Sequence, residues 1–388
     1  MARVLYSSIS FTIGKSGASF TVTPNSGYIL ELETNTCGGT LSGNTYTISN
    51  ITSAKSCSIT FKSSAPTLYA KLLADKTERT VTTRPGGFSS VYTSDNTKTL
   101  YTSTENGTTV YYFAGNATDN WVKFGGFYWR IIRTNSDGGV RLLYHGTSTT
   151  ATDAVINTST AFNTTYNNPM YVGYMYGTSG SLENNRTNTN NSTIKGVIDT
   201  WYKDNLNTNY GKYLSTTAVY CNDRSNPAGG YTTGSTEFYY GGYTRLKTNK
   251  APTYDCTDTN DKFTVDTSTG NGKLTYPIAL MTADEVSFAG GLFVKNAPTW
   301  YYYNSAKGSS TGTSAWWLLS PGFWLGVNGA GVFRVRGSSS PGYLDLNGYV
   351  HYTSGVRPSV SLKSCVKTSG GDGSANAPYT IEDSTSGC

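Results

Sequence analysis

Charge is scarce in this chain of 388 residues. Lys, Arg, Asp and Glu make up 14% of it, against roughly a quarter of an average globular protein, so solubility rests on neutral Ser, Thr, Asn and Gly. That shortage argues against a charged disordered tail and against a thermophile-style surface of ion pairs. Histidine is nearly absent, with only His145 and His351, and no Cys-x-x-Cys occurs, which argues against a zinc site of the common kinds. No apolar run approaches the roughly 18 residues that would cross a bilayer. The candidates are short, such as Trp316 to Leu319, so no membrane insertion is expected. The start, Met1-Ala2-Arg3-Val4-Leu5, lacks the apolar stretch of a secretory signal. Unless an export signal has been removed, the chain is expected to start in a cytoplasm. The formal charge is +6 with basic residues scattered rather than clustered, which speaks against nucleic acid as a partner.

Tyrosine is abundant: 31 Tyr stand beside 14 Phe and 7 Trp. Tyr together with Gly, Ser and Asn is the composition of an antibody paratope. The length permits two or three domains. The six cysteines fall into the local pairs Cys37/Cys57, Cys221/Cys256 and Cys365/Cys388. Three disulfides are permitted by that count but not required, and other connectivities stay open.

The fold class expected is α+β. Residues 1–64 read as a small β-sandwich, because Phe11-Thr12-Ile13, Ser19 to Val22, Tyr28-Ile29-Leu30, Thr45 to Ile48 and Cys57 to Phe61 are short β-rich runs bounded by turn signals. The stretch from Val22 to Phe61, opening Thr-Pro-Asn-Ser-Gly-Tyr and closing Thr-Ile-Ser-Asn-Ile-Thr-Ser, resembles bacterial immunoglobulin-like repeats. Residues 65–108 read as a linker with a short helix at Leu68 to Lys76. From 109 on, Val110 to Phe113, Trp121 to Phe124, Phe127 to Arg133 and Val140 to Tyr144 are dense strands. Gly125-Gly126 and Asp137-Gly138-Gly139 separate them, and the last gap is a hairpin signal.

Ile194, Val197, Ile198, Trp201, Tyr202 and Leu206 have helical spacing, with Ser192 or Thr193 near the cap. Residues 207–275 read as a long polar insertion. Tyr276 to Met281 is then an apolar run, and Thr282-Ala283-Asp284-Glu285 has the form of a capping box, which explains Asp284 and Glu285 as a helix start in preference to paired catalytic carboxylates.

The segment 316–362 runs Trp316-Trp317-Leu318-Leu319-Ser320-Pro321, then a Gly/aromatic stretch, then Val332 to Val335, and ends Gly355-Val356-Arg357-Pro358. With Val122 to Arg133 and Leu280 to Val286 in order before it, this resembles the variable proteins of diversity-generating retroelements. Their C-terminal domain is C-type-lectin-like and close to the formylglycine-generating-enzyme fold. The resemblance covers 109–388. It implies an antiparallel sheet, two helices, long loop-rich insertions, and a terminal segment rewritten by error-prone copying of a template RNA. Trp316, Trp317, Leu318, Pro321, Gly355, Val356, Arg357 and Pro358 match the fixed framework, and the residues between them correspond to the variable face.

The residues read the same way unaided. Phe323, Trp324, Leu325, Val327 and Asn328 lie in a glycine-rich, poorly periodic run, hence a loop, and exposed apolar clusters mark interaction sites. Tyr343, Asp345, Asn347 and Tyr349 alternate with Leu344 and Leu346, which places the leucines in the core and the other four outside. Arg334 and Arg336 share a face in the same manner, and Arg with Tyr and Trp makes binding hot spots. His351 and Tyr352 complete the candidate surface, although Phe323 to Leu325 could instead plug the core and Tyr343 and Tyr349 could pack on a sheet.

The function expected is non-enzymatic binding of a host-surface protein or glycan, on a phage virion or a bacterial surface, with no cofactor, metal or catalytic residue. A cysteine-dependent oxidase of the formylglycine-generating type and a structural spacer are the alternatives. Against the oxidase, 316–362 contains no cysteine. Asp258-Thr259-Asn260-Asp261 offers oxygens for calcium but lacks the acidic twelfth position. No heptad pattern speaks to oligomeric state.

Overall fold

In the N-terminal part, Thr45–Ser49 pairs antiparallel with Gly17–Thr21 on one side and Thr40–Ser42 on the other, and Tyr28–Glu31 pairs with Thr60–Ser63. Alternation along Thr45–Ser49 buries Tyr46 and Ile48, which cluster with Val22 and Ile51 and with half-buried Leu30, Leu41 and Phe61. Gly39 has to be glycine here: its N–H donates to the Tyr46 hydroxyl at 2.7 Å, and a Cβ would lie 2.5 Å from the Tyr46 ring. The computed structural model describes residues 17–22, 24, 27–31, 38–43, 45–53, 60–76, 78–79, 84–151, 154–226, 230–294, 300–302, 315–337 and 340–383. The strand expected at Phe11 to Ile13, the Cys37/Cys57 pair and Cys388 lie outside them.

The chain divides into two compact units between Pro66 and Thr67. Residues 67–108 are therefore no linker. Leu68–Asp75 (α1) buries Leu68 and Leu72 in the core of the second unit, and Thr99–Glu105 forms a hairpin with Thr108–Tyr112 that joins its large sheet. The α1 stripe of leucines has a core to cover, and that holds the segment in place.

The second unit contains Trp121–Phe124 (β1), Phe127–Thr134 (β2), Val140–Gly146 (β3), Asn157–Ala161 (β4), Thr193–Tyr202 (α2), Ile278–Leu280 (β5), Ala283–Ala289 (α3), Trp316–Trp324 (β6), Ala330–Val335 (β7), Leu344–Tyr349 (β8), Thr353–Val356 (β9), Pro358–Leu362 (β10), Thr368–Gly370 (β11) and Tyr379–Ile381 (β12). The large sheet runs β5-β10-β3-β2-β1-β12-β11, and a second runs β4-β9-β6-β7-β8. Most pairings are antiparallel, with β1–β12 and β6–β9 parallel. With 18% helix and 34% strand, the class is mixed α and β.

The hairpin expected at Asp137 to Gly139 forms, with Thr134 paired to Val140, and Gly125-Gly126 makes another. Phe124 pairs with Phe127 across Gly125 and Gly126, whose φ of +64° and +83° suit the primed turn that matches strand twist. Ser192 caps α2 by accepting from the Lys195 N–H, and Ile194, Ile198, Tyr202 and Leu206 are buried. The Thr282 box closes in both directions: the Glu285 N–H donates to Thr282 Oγ1 at 3.1 Å, and the Thr282 N–H donates to Glu285 Oε2 at 3.0 Å. The insertion is no loose excursion, since Tyr213, Leu214, Tyr220, Phe238, Tyr240, Leu246 and Phe263 all enter the main core. Cys221 and Cys256 are bonded to each other, and Cys365 is disulfide-bonded as well.

Candidate binding surface

The loop expected after Pro321 is a strand. All nine residues of β6 are buried, and Phe323 and Trp324 are 0% and 2% exposed. The physical reason is a pairing partner far away in sequence: Phe238–Tyr239 of the insertion lies antiparallel against Trp324 and Phe323, and β7 flanks the other edge. Trp324 Nε1 donates to the Gly234 carbonyl at 2.8 Å. Phe323 needs Gly331 opposite, where a Cβ would meet its ring at 2.2 Å. Leu325 is half-buried against the core. Of the anticipated loop only the tip of the turn Gly326–Asn328 stands free: Val327 is 84% exposed and Asn328 is exposed as well, while Gly326 is buried.

The period-two reading of β8 holds in part. Leu344 and Leu346 are core and Asn347 is exposed, while Tyr343 and Tyr349 are half-buried. Asp345 departs from it, being fully buried. Its carboxylate accepts from Arg334 Nε at 2.9 Å and from the Asn347 N–H at 3.0 Å, and Arg336 Nε lies 3.5 Å away. A carboxylate placed between two guanidiniums is held in by charge, which side-chain alternation cannot report. Arg334 is thereby tied into the sheet, whereas Arg336 keeps more than a third of its side chain in solvent.

The exposed aromatics come from three parts of the chain. Tyr349 packs edge-on against Tyr352 at 5.4 Å and lies 6.0 Å from His351, and His351 lies 4.5 Å from Tyr352 and 4.1 Å from Tyr166. Beneath them Phe323 meets Tyr349 edge-on at 5.2 Å. From the insertion, Tyr239 stacks on Tyr243 at 4.1 Å, with Lys247 Nζ 5.1 Å from the Tyr243 ring. Tyr239 pairs with Phe323, whose ring meets Tyr349, which joins the insertion side of this face to the terminal side, and burial, helped by neighbouring Tyr352, Glu237 and Tyr239, raises the Tyr349 hydroxyl above the ordinary phenol range. Tyr352, Tyr166 and Tyr239 are 52%, 40% and 38% exposed. Burial pulls His351 below the usual imidazole value, and its Nδ1 has no partner among the described residues.

Tyr166, Tyr239 and Tyr243 escaped sequence reasoning because they sit in polar stretches without period. The one available signal was the run Phe238-Tyr239-Tyr240 inside such a stretch. Rings pinned by their neighbours offer wide contact area at small entropic cost. The face can therefore grip apolar and hydroxyl-bearing groups together.

Several carboxylates elsewhere are committed. Glu285 receives Arg133 Nε at 3.1 Å and Arg141 Nη1 at 2.9 Å, and Asp284 is held by Arg245 at 2.7 Å. Asp258 and Asp261, weighed for calcium, are taken by Arg186 and Arg224. No group of three or more His, Cys, Asp or Glu among the described residues is arranged to hold a metal, and no described cysteine is a free thiol. No helix among the described residues is long and apolar enough to cross a membrane. Comparisons with family models, with curated proteins and with solved structures returned no match for this chain.

Proposed function

We propose that this chain is a non-enzymatic binding protein of the diversity-generating-retroelement type, gripping a host-surface protein or glycan from a phage virion or bacterial surface. In this reading the second unit is a C-type-lectin-like domain and the first an immunoglobulin-like sandwich. The observation that carries it is the division of labour within 316–362. The matched framework residues Trp316, Trp317, Leu318, Val356 and Arg357 are buried, whereas Val327, Asn328, Asn347 and Tyr352 between them are exposed beside an aromatic face. A segment that varies without unfolding its host needs that separation, because core substitutions are costly and exposed ones nearly neutral.

Burial of Phe323, Trp324 and Asp345 moves them to the supporting side of the division. The contact set becomes Val327, Asn328, Arg336, Asn347, Tyr349, His351 and Tyr352, widened by Tyr166, Tyr239 and Tyr243. Sequencing this gene and a nearby imperfect repeat in sibling isolates tests the reading. Substitutions concentrated at the exposed set and matching template adenines support it, and changes scattered through β6 and the rest of the chain refute it.

A further inference from the structure

The turn between β2 and β3 borders a cavity of about 280 Å³, walled on its other sides by the insertion and by the end of Thr99–Glu105. Its lining is mostly polar. Asp137 and Thr269 are exposed on the wall, whereas Asn135, Tyr254 and Cys256 are buried there, so the cavity has a rim in solvent and a floor in the protein. The bond from Cys256 to Cys221 pins the segment that carries Tyr254.

Asn135 is 6% exposed, and neither its amide nitrogen nor its amide oxygen has a partner among the described residues. The backbone holds it in place: its N–H donates to the Gly139 carbonyl at 2.8 Å, and its carbonyl accepts from the Gly138 N–H at 3.0 Å. Other polar groups of the wall are turned to partners of their own. Glu105 receives Arg133 Nη2 at 2.8 Å and the Ser136 N–H at 2.7 Å, and the Thr269 hydroxyl donates to the Thr217 carbonyl at 2.6 Å. A buried amide with both functions unmet is costly and calls for an occupant. The Tyr254 hydroxyl is unpartnered too, but Tyr254 also borders a second cavity of about 20 Å³, room for one water, so Asn135 carries the weight.

We infer that this cavity takes one small neutral polyol of monosaccharide size, held at Asn135 through two adjacent hydroxyls. One hydroxyl donates to Oδ1 while its neighbour accepts from Nδ2, a match that a vicinal diol makes without rearrangement. The volume lies just under the roughly 300–1,000 Å³ of drug-sized ligand sites. Charge and shape disfavour the other classes. Glu105 and Asp137 stand on the wall against the single Lys262, which repels an anion, and a cation has no use for the amide donor. A nucleobase could pair with the amide but needs a ring to stack on. The one ring on the wall, Tyr254, is taken by Phe288, stacked at 4.0 Å, and by the Arg133 guanidinium at 4.4 Å. The cavity shares no lining residue with the aromatic face, so either reading can fail without the other.

The test titrates the full chain with glucose, galactose and mannose, read by calorimetry and by the thermal midpoint, and soaks crystals in the same sugars. At least one sugar should bind saturably in the millimolar range, with density against the Asn135 amide. N135L should weaken binding about tenfold or more. It should leave the midpoint of the free protein unchanged or raised, because it removes two unmet polar groups. N135D, which keeps the acceptor and loses the donor, should also weaken binding. General stabilisation by excluded sugars does not saturate and would persist in N135L. No saturable response to any of the three, with only water at Asn135 in the soaked crystals, would overturn the inference. A response that N135L leaves intact would overturn it too, since the sugar then sits elsewhere. Should N135L fail to fold, N135D and the soaked crystals decide.

Discussion

The Glu285 cluster and the Tyr349–Tyr352 stretch are both rich in side chains suited to recognition, yet they serve opposite ends. Around Glu285, Arg133 and Arg141 converge on one carboxylate that also caps α3, and every member is buried. Around Tyr349, rings lean on rings and keep edges and hydroxyls in solvent. Residue type does not separate a structural cluster from a contact surface; satisfaction does. A group whose partners are all inside the protein holds the fold, and one with capacity left over can hold something else.

Substitutions should widen that contrast. Glu285→Gln removes the charge two buried guanidiniums share, and should cost about 3–5 kcal/mol in denaturant unfolding. Trp324→Ala, once a candidate contact, should cost about as much through the cavity it leaves. A loss under about 1 kcal/mol would return Trp324 to the surface.

Acid should separate the two regions next. Against the burial that would raise it, Arg133 and Arg141 with the Ser136 N–H hold the Glu105 carboxyl at about 2, below its ordinary 4.5. A depressed folded value means the stabilisation is complete above pH 4.5 and is lost as pH falls from there through about 2. The contribution is on the order of 3 kcal/mol. Urea midpoints measured between pH 5 and 2 should fall accordingly, and Glu105→Gln should flatten the fall.

Breaking the disulfide tests whether the insertion supports the face. Cys221→Ser with Cys256→Ser opens a loop of 35 residues and should cost about 2–4 kcal/mol, with ligand capture falling because Tyr239 and Tyr243 lose their anchor. The smallest effect on stability is expected from Tyr352→Ala, within about 0.5 kcal/mol in calorimetry, though capture of the ligand should drop. A Tyr352→Ala protein that melts early would place that ring with the Glu285 cluster.

Much of the architecture was legible locally. The Asp137 to Gly139 turn, the α2 stripe with its Ser192 cap, and the Thr282 box depend on neighbours within a few residues, and each forms as read. The candidate surface was legible only at its tips. Val327, Asn328, Asn347 and Tyr352 are exposed, while Phe323, Trp324 and Asp345 are sealed by Phe238–Tyr239 and by Arg334, partners that no local pattern announces. The linker reading of 65–108 failed from Thr67 on for the same reason, since the core that α1 covers is distant in sequence.

What the sequence determined by itself was the set of short-range choices: turns set by glycine, caps set by Ser192 and Thr282, and the alternation that sends Leu344 and Leu346 inward. Only the tertiary structure decided which aromatics are buried and which are free, and which arginines meet a carboxylate. Burial and charge balance are sums over neighbours brought from anywhere in the chain, and a linear pattern carries no record of them.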